Sequence, residues 1–343
     1  MKSDISLFQK IREIAVLIRV QQLGTSVTAI IGALTVKGIE LGLTNLLVLF
    51  FIGLLVNVGG QIHNDIVDVE IDKRSKELKK RPLVSGTVSM KTAKIIILLC
   101  LIAVIALLVV FIPNVYAIII LFIGFGSGTL YNLYSKKLPG SDLFLSVCMA
   151  FFIFFGAVAV TDNFQGINDI GIMTWIVAAI TFIHVFLMDA LGGGLKDLKN
   201  DKNAGAKTLA IYLGVKINDK LHITNSYIAI ILFFEFFTVI FALVPFIFYE
   251  IDYTLVQMIF IIVLLFGMVF STLRLLTLKI FDRKKIKAIN RNHELTGYVL
   301  VPTILINIIG IYYALFLILL PMIWFLFFNY IMYKDSWFNP KVY

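Results

Sequence analysis

Asn64-Asp65-Ile66-Val67-Asp68-Val69-Glu70-Ile71-Asp72 follows directly on an apolar run over residues 42–62. The run has the length a bilayer-spanning helix needs. The acids continue it at helical spacing: positions 64, 68 and 72 are successive i, i+4 steps, and Asp65 lies about 100° from Asn64. Four oxygen-bearing side chains therefore share one narrow arc. Carboxylates crowded in this way repel one another unless a hard cation sits among them. A second pair, Asp197 and Asp201, also at i, i+4, follows the apolar run 171–193. Two such clusters at helix ends point to a magnesium–diphosphate site.

The rest of the chain extends the membrane reading. Of 343 residues, 60% are hydrophobic and 15% charged, and the mean hydropathy is +0.96. Soluble domains average roughly 45–50% apolar and about 25% charged residues. The predicted fold class is all-α: a polytopic bundle of about nine transmembrane helices. Apolar runs at 14–37, 42–62, 92–112, 115–134, 141–161, 171–193, 224–248, 254–277 and 296–320 supply them. They lack the alternation of a transmembrane barrel. A further stretch, Met322 to Tyr333, follows Pro321 and is short for a span. It reads either as an interfacial helix or as half of a region, 296–333, that divides into two spans turning near Asn307 to Gly310. The N-terminus does not read as a cleaved signal peptide, because the first run is long and carries Arg19. One transmembrane domain is expected over 1–343, with motif loops at 63–91 and 194–222.

Charge is distributed by side. Lys73, Arg74, Lys76, Lys79, Lys80, Arg81 and Lys91 fall in one connection, Lys136 and Lys137 in the next on that side, then Lys196 to Lys220, then Lys279 to Arg291. The opposite connections, 38–43, 113–114, 162–170 and 249–253, contain no Lys or Arg. By the positive-inside rule both acidic clusters face the cytoplasm of a cell-membrane protein. The net charge of +9 is thus a matter of topology, anionic lipid and diphosphate rather than of nucleic-acid binding. No obligate protein partner is expected. Cys100 and Cys148 lie inside spans without metal-ligand spacing and read as small core residues.

The clusters end the second and sixth runs, and each is followed by a basic, Gly-containing loop. Either a pseudo-repeat of four helices accounts for this, with an extra helix or two at the C-terminus, or the likeness is a coincidence, since the two loops share little beyond acid spacing. Pro82 and Gly86 stop the first loop, and Ser89 is placed to cap the third span. Mg²⁺ takes oxygen ligands, usually one or two carboxylates plus substrate phosphates. Asn64, Asp68, Asp72, Asp197 and Asp201 offer such oxygens, and no His or Cys cluster favours zinc or iron. Arg81, Lys137 and Lys196 are candidate phosphate donors. Tyr131 and Tyr134 either stabilise an allylic cation through their ring faces or serve as interfacial tyrosines.

Asn64-Asp65-x-x-Asp68-x-x-x-Asp72 followed by Arg81-Pro82-Leu83-x-Ser85-Gly86 resembles the first signature of the UbiA family of intramembrane prenyltransferases. Asp197-x-x-x-Asp201-x-x-x-Gly205-x-Lys207-Thr208, ending in Leu213-Gly214, resembles the second. Arg19 and the segment Tyr131-Asn132-Leu133-Tyr134-Ser135 are similar to less specific family features. The resemblance implies a nine-helix bundle that uses Mg²⁺ to ionise a polyprenyl diphosphate and passes the chain to a lipophilic or aromatic acceptor. It implies that Asn64, Asp68, Asp72, Asp197 and Asp201 bind the metal–diphosphate, with Asp65 supporting and Arg81 on phosphate. The sequence departs from the family pattern at the shifted Tyr/Lys pairing after the fourth span, in the Lys-rich loop 73–80, and beyond residue 320.

Several readings stand beside one another at this stage. The acceptor is a hydroxylated aromatic acid, which the first motif favours, or a phosphoglycerol lipid or another molecule. A terpene cyclase would use the same site with no acceptor, and a cation or lipid transporter would use the acids without chemistry. Glu235, among phenylalanines in the seventh run, needs either a role or an interhelical partner. Asp189 stands close enough to Asp197 to orient it or an acceptor.

Overall fold

The computed structural model describes residues 7–73, 78–249 and 252–333. Arg74 and Lys76 of the Lys-rich loop lie outside these residues. The described residues form helices α1 (Leu7–Leu17), α2 (Gly24–Leu34), α3 (Leu43–Asp72), α4 (Pro82–Ser85), α5 (Met90–Phe111), α6 (Val115–Tyr134), α7 (Asp142–Ala159), α8 (Ile172–Leu187), α9 (Gly194–Ala204), α10 (Leu209–Tyr212), α11 (Asn225–Phe248), α12 (Leu255–Leu276) and α13 (Arg283–Tyr333). A two-stranded hairpin, β1 (Lys216–Ile217) with β2 (Leu221–His222), precedes α11. Among the described residues, eight segments are long and apolar enough to cross a bilayer, with α2 shorter. The chain is an integral membrane protein of helical-bundle class.

The chain divides into two compact units. One takes the N-terminal part to Ile30, Gly42–Pro113 and the chain from Leu319; the other takes Ile31–Leu41 and Asn114–Ile318. In the first unit α3 packs on α5. Leu17, Val58, Ile62, Val69, Leu83, Val88 and Ala93 form the buried core there. Ser89 caps α5 as its position predicts, its hydroxyl accepting the Thr92 N–H at 3.0 Å. The C-terminal stretch runs along the N-terminal one: Trp324 Nε1 donates to the Val20 carbonyl at 2.7 Å, and Arg12 Nε donates to the Met332 carbonyl at 2.9 Å.

Two expected spans take a different form. The run 14–37 is not one helix, since α1 ends at Leu17 and α2 begins at Gly24. Between them Arg19 adopts φ 48°, a left-handed conformation rare outside glycine. Hydropathy averaged over the run does not register this break because the apolar residues on both sides outweigh Arg19, Gln21 and Gln22. At the other end, α13 is broken at Gly310, with φ 80° and ψ 158°. Of the two readings for 296–333, the division near Gly310 is the one observed. A side chain at that φ would be strained, so glycine sets the turn. The segment beyond Pro321 belongs to a helix over 311–333, about 1.5 Å per residue in rise and so long enough to span.

In the second unit α6 packs on α7, α7 on α8, and α8 on α11. α2 reaches this unit through Gly32, where a β-carbon would overlap the Ile153 backbone. Small residues let membrane helices approach this closely. Glu235 has found partners here. Its Oε2 accepts the Thr272 hydroxyl at 3.0 Å and lies 3.3 Å from His293 Nε2, joining α11, α12 and α13. An interhelical tie between buried polar groups is worth roughly 1–2 kcal/mol in membrane bundles. Glu235→Ala is expected to lower stability by about that amount while leaving both signature segments intact. Thermal unfolding in detergent checks it, and an unchanged midpoint would show that the tie contributes nothing.

Candidate functional site

The first acidic cluster lies on the last turns of α3, which runs past the apolar core as one 30-residue helix. Asp65, Asp68 and Asp72 are buried, at 6–7% exposure, on successive turns of one face. Burying carboxylates is costly unless charge or hydrogen bonds compensate. Arg81 provides that compensation: Nη1 lies 2.5 Å from Asp72 Oδ2 and 3.4 Å from Asp65 Oδ1. Arg19 adds a second cation, Nη2 donating to Asp65 Oδ1 at 2.8 Å and Nη1 donating to the Gln61 side-chain Oε1. The break between α1 and α2 thus carries a cation to the stripe. Glu70 points away, exposed, and pairs with Lys73 at 2.6 Å.

The second cluster lies in the other unit, on a helix whose path is altered just upstream. α8 leads into a π-helical turn, Met188–Gly193, and then into α9. Such wide turns recur at functional sites. The Ala190 carbonyl in this turn accepts the buried Tyr227 hydroxyl at 2.7 Å. Asp189 sits in the turn and shares a side-chain hydrogen bond with Asp142 of α7. Asp201, 5% exposed, accepts from Lys136 Nζ at 2.8 Å. Asp197 pairs with Arg283 Nη2 at 2.7 Å, and Lys196 Nζ is 4.0 Å from its other oxygen.

Each cluster therefore holds carboxylates and cations together. Among the basic residues predicted from sequence, Arg19 and Arg81 reach the first cluster and Lys196 stands at the rim of the second. Lys137 does not reach a carboxylate: its side chain is exposed, and its neighbour Lys136 makes the pair. Adjacent residues at a helix end point about 100° apart. The Lys207 N–H, on the loop after α9, donates to the Lys136 carbonyl at 2.9 Å and fixes which lysine turns inward. Tyr134 is 43% exposed, as an interfacial tyrosine would be; Tyr131 is half-buried. Arg283 was counted from sequence only as a topological charge. No local pattern marks it, because its partner lies far away in the chain. Hydrogen bonds to charged groups are worth about 1.5–3 kcal/mol, so if this site takes a diphosphate, Lys136→Met is expected to weaken its binding by roughly 10- to 100-fold. Lys137→Met should leave it unchanged. Titration of the two variants with an unreactive diphosphate analogue separates them, and equal loss would reject the assignment.

Oxygen donors dominate both clusters, with Asn64 half-buried beside Asp65 and Asp68. Among the described residues, no three His, Cys, Asp or Glu side chains close around a single point. An all-protein metal cage is therefore not built here. The donor set fits Mg²⁺, which keeps its waters and takes one or two carboxylates together with phosphate oxygens.

Comparison with known proteins places this geometry in a family. Residues 25–280 match the model of the UbiA prenyltransferase family. A digeranylgeranylglyceryl phosphate synthase of Saccharolobus solfataricus is 30% identical over 196 residues, covering 56% of this chain and 65% of that protein. A 4-hydroxybenzoate octaprenyltransferase of Francisella tularensis subsp. novicida is 31% identical over 173 residues, 50% of this chain and 57% of that protein. The chain thus spans somewhat over half the length of these curated relatives. Among solved structures, a UbiA homologue from Aeropyrum pernix K1 superposes with TM-score 0.66 at 17% identity, over 83% of this chain and 96% of that one. A UbiA homologue from Archaeoglobus fulgidus, bound to GPP and Mg²⁺, gives TM-score 0.57 at 14% identity, over 84% of this chain and 99% of that one. The match over three quarters of the chain, together with the two signature segments and the helical fold, establishes that this protein belongs to the UbiA prenyltransferase family.

Proposed function

We propose that the protein is a Mg²⁺-dependent prenyltransferase that moves a polyprenyl group from its diphosphate to a lipophilic or aromatic acceptor. The observation that carries this reading is the repeated pairing of carboxylates with cations: buried Asp65 and Asp72 with Arg19 and Arg81, buried Asp201 with Lys136, and half-buried Asp197 with Arg283. Taken unit by unit, Asn64, Asp68 and Asp72 in the first, and Asp197 and Asp201 in the second, are the oxygens that would hold Mg²⁺, with Asp65 orienting the arginines. Bound Mg²⁺ would neutralise charge on the diphosphate and so improve it as a leaving group.

The chain's own cations complete the arrangement. The cations paired with these carboxylates, Arg19 and Arg81 in the first unit and Lys136 and Arg283 in the second, would also bind phosphate oxygens, because phosphate and carboxylate offer them similar acceptors. Arg81 suits this through its planar fork, Lys136 as a point charge. The carbon–oxygen bond to diphosphate then breaks with its electron pair on the leaving group. The prenyl carbon bonds to the acceptor nucleophile, which loses one proton. Apolar helices exclude the water that would otherwise trap the allylic cation, and Tyr131 offers a ring face.

The site faces the cytoplasm in this reading, because every connection rich in Lys and Arg lies on its side. A hydroxylated aromatic acid remains the favoured acceptor, and a phosphoglycerol lipid is the second reading, supported by the relative from Saccharolobus solfataricus. The test is to incubate purified protein with geranylgeranyl diphosphate, Mg²⁺ and either 4-hydroxybenzoate or geranylgeranylglyceryl phosphate. A prenylated product of the expected mass supports transfer to that acceptor. A product with the mass of the bare prenyl skeleton would mean cyclisation instead. Absence of any Mg²⁺-dependent diphosphate release would defeat the enzymatic reading.

A further inference from the structure

On the outer side of α9 lies a hollow of about 370 Å³, lined by Lys199, Lys202 and Lys220 above Ile217, Leu221 and Phe281. Three pieces of the second unit build it. α9 forms one wall, and the β1–β2 hairpin forms another. The connection after α12 closes the third side, held to the hairpin by the Leu221 N–H, which donates to the Lys279 carbonyl at 2.9 Å. The hollow is separate from the acidic cluster. Lys199 lies about 200° around the helix from both Asp197 and Asp201, whereas Lys199 and Lys202 share a face at i, i+3.

Its chemistry is that of an anion site with an apolar floor. Three lysines and one carboxylate, that of Asp219, line it. The floor is continuous with the buried core, in which Leu198 and Leu221 pack with Phe281. At the lip stands Ile280, which is 73% exposed and only four residues beyond the end of α12 at Leu276. A large aliphatic side chain so exposed, just past a membrane span, lies at the level of the lipid headgroups. Positive charge alone follows from topology. A half-open hollow lined both by lysines and by aliphatic and aromatic carbon does not.

We propose that this hollow seats the headgroup phosphate of an anionic phospholipid, with the glycerol and upper acyl carbons against Ile280 and Phe281. Basic pockets beside transmembrane helices on the cytoplasmic side bind acidic headgroups in this manner. A soluble phosphate would use the lysines but leave the apolar floor uncovered. The site anchors α9, and through it Asp197 and Asp201, to the membrane surface.

Native mass spectrometry of the full chain, released from phosphatidylcholine nanodiscs with a minor fraction of phosphatidylglycerol, tests the proposal by binding alone. It therefore stands or falls independently of prenyl transfer. The wild-type chain is expected to retain phosphatidylglycerol, and the variant K199E/K202E/K220E to lose it by at least about tenfold. K199R/K202R/K220R should keep it, which guards against simple misfolding. The pair K91E/K94E, exposed lysines at the start of α5, controls for general surface charge and should also keep it. Equal loss in K91E/K94E, or full retention by the triple glutamate variant, would overturn the site. Displacement of the lipid by inorganic diphosphate at concentrations too low to affect phosphatidylglycerol bound elsewhere would overturn its assignment to lipid.

Discussion

Asp68→Ala is expected to abolish Mg²⁺-dependent release of diphosphate, with a fall of about 10²–10³-fold or more in turnover. That is the scale on which enzymes lose activity when one electrostatic contact to a developing charge is removed. Asp68 is buried on the same face of α3 as Asp65 and Asp72. Its replacement removes an oxygen donor while both side chains of the Arg81–Asp72 pair stay in place. Folding should therefore survive, and the loss should appear in the chemistry. Stopped-time assays of diphosphate release, with circular dichroism as the folding control, measure both. A folded variant that keeps wild-type turnover would remove the first cluster from the mechanism.

Arg81→Ala is expected to act on stability and activity together. The guanidinium sits between two buried carboxylates, 2.5 Å from Asp72 and 3.4 Å from Asp65. Removing one partner of a buried pair leaves an uncompensated charge at a cost of about 3–5 kcal/mol. Asp65 keeps Arg19 at 2.8 Å, so most of the penalty falls on Asp72. Added Mg²⁺ should restore part of the lost stability, since metal at Asp72 takes over the neutralising role. Arg81→Lys should retain charge but lose the planar fork, and so recover stability better than activity. Unfolding midpoints with and without Mg²⁺, set beside turnover, separate the two effects. A variant as stable and as active as the parent would show that Arg81 serves neither.

How far these residues could be read in advance depended on how local each signal was. The acid stripe on α3 was legible because helical spacing alone brings positions 64, 68 and 72 onto one arc. Ser89 was legible as a cap for the same reason: its hydroxyl bonds an N–H three residues away. Arg81 carried a local motif, and its contact lies only nine residues back. Arg283 carried none. Its partner Asp197 is 86 residues distant, and nothing beside Arg283 in the chain distinguishes it from the neighbouring lysines. The choice between Lys136 and Lys137 had the same character, being made by a backbone hydrogen bond from Lys207. Glu235 advertised a need for partners through its apolar surroundings, but not that Thr272 and His293 would meet it.

By itself the sequence determined the membrane-spanning, all-helical class and the acids of the two signature segments. These follow from apolar run length and from the 3.6-residue period, both of which act within a few turns of chain. Only the tertiary structure decided the break at Arg19, the turn at Gly310, the π-helical turn around Asp189, and which cation answers which carboxylate. Those outcomes rest on contacts between segments remote in the chain. There the cost of a buried charge selects one partner from several equally basic candidates.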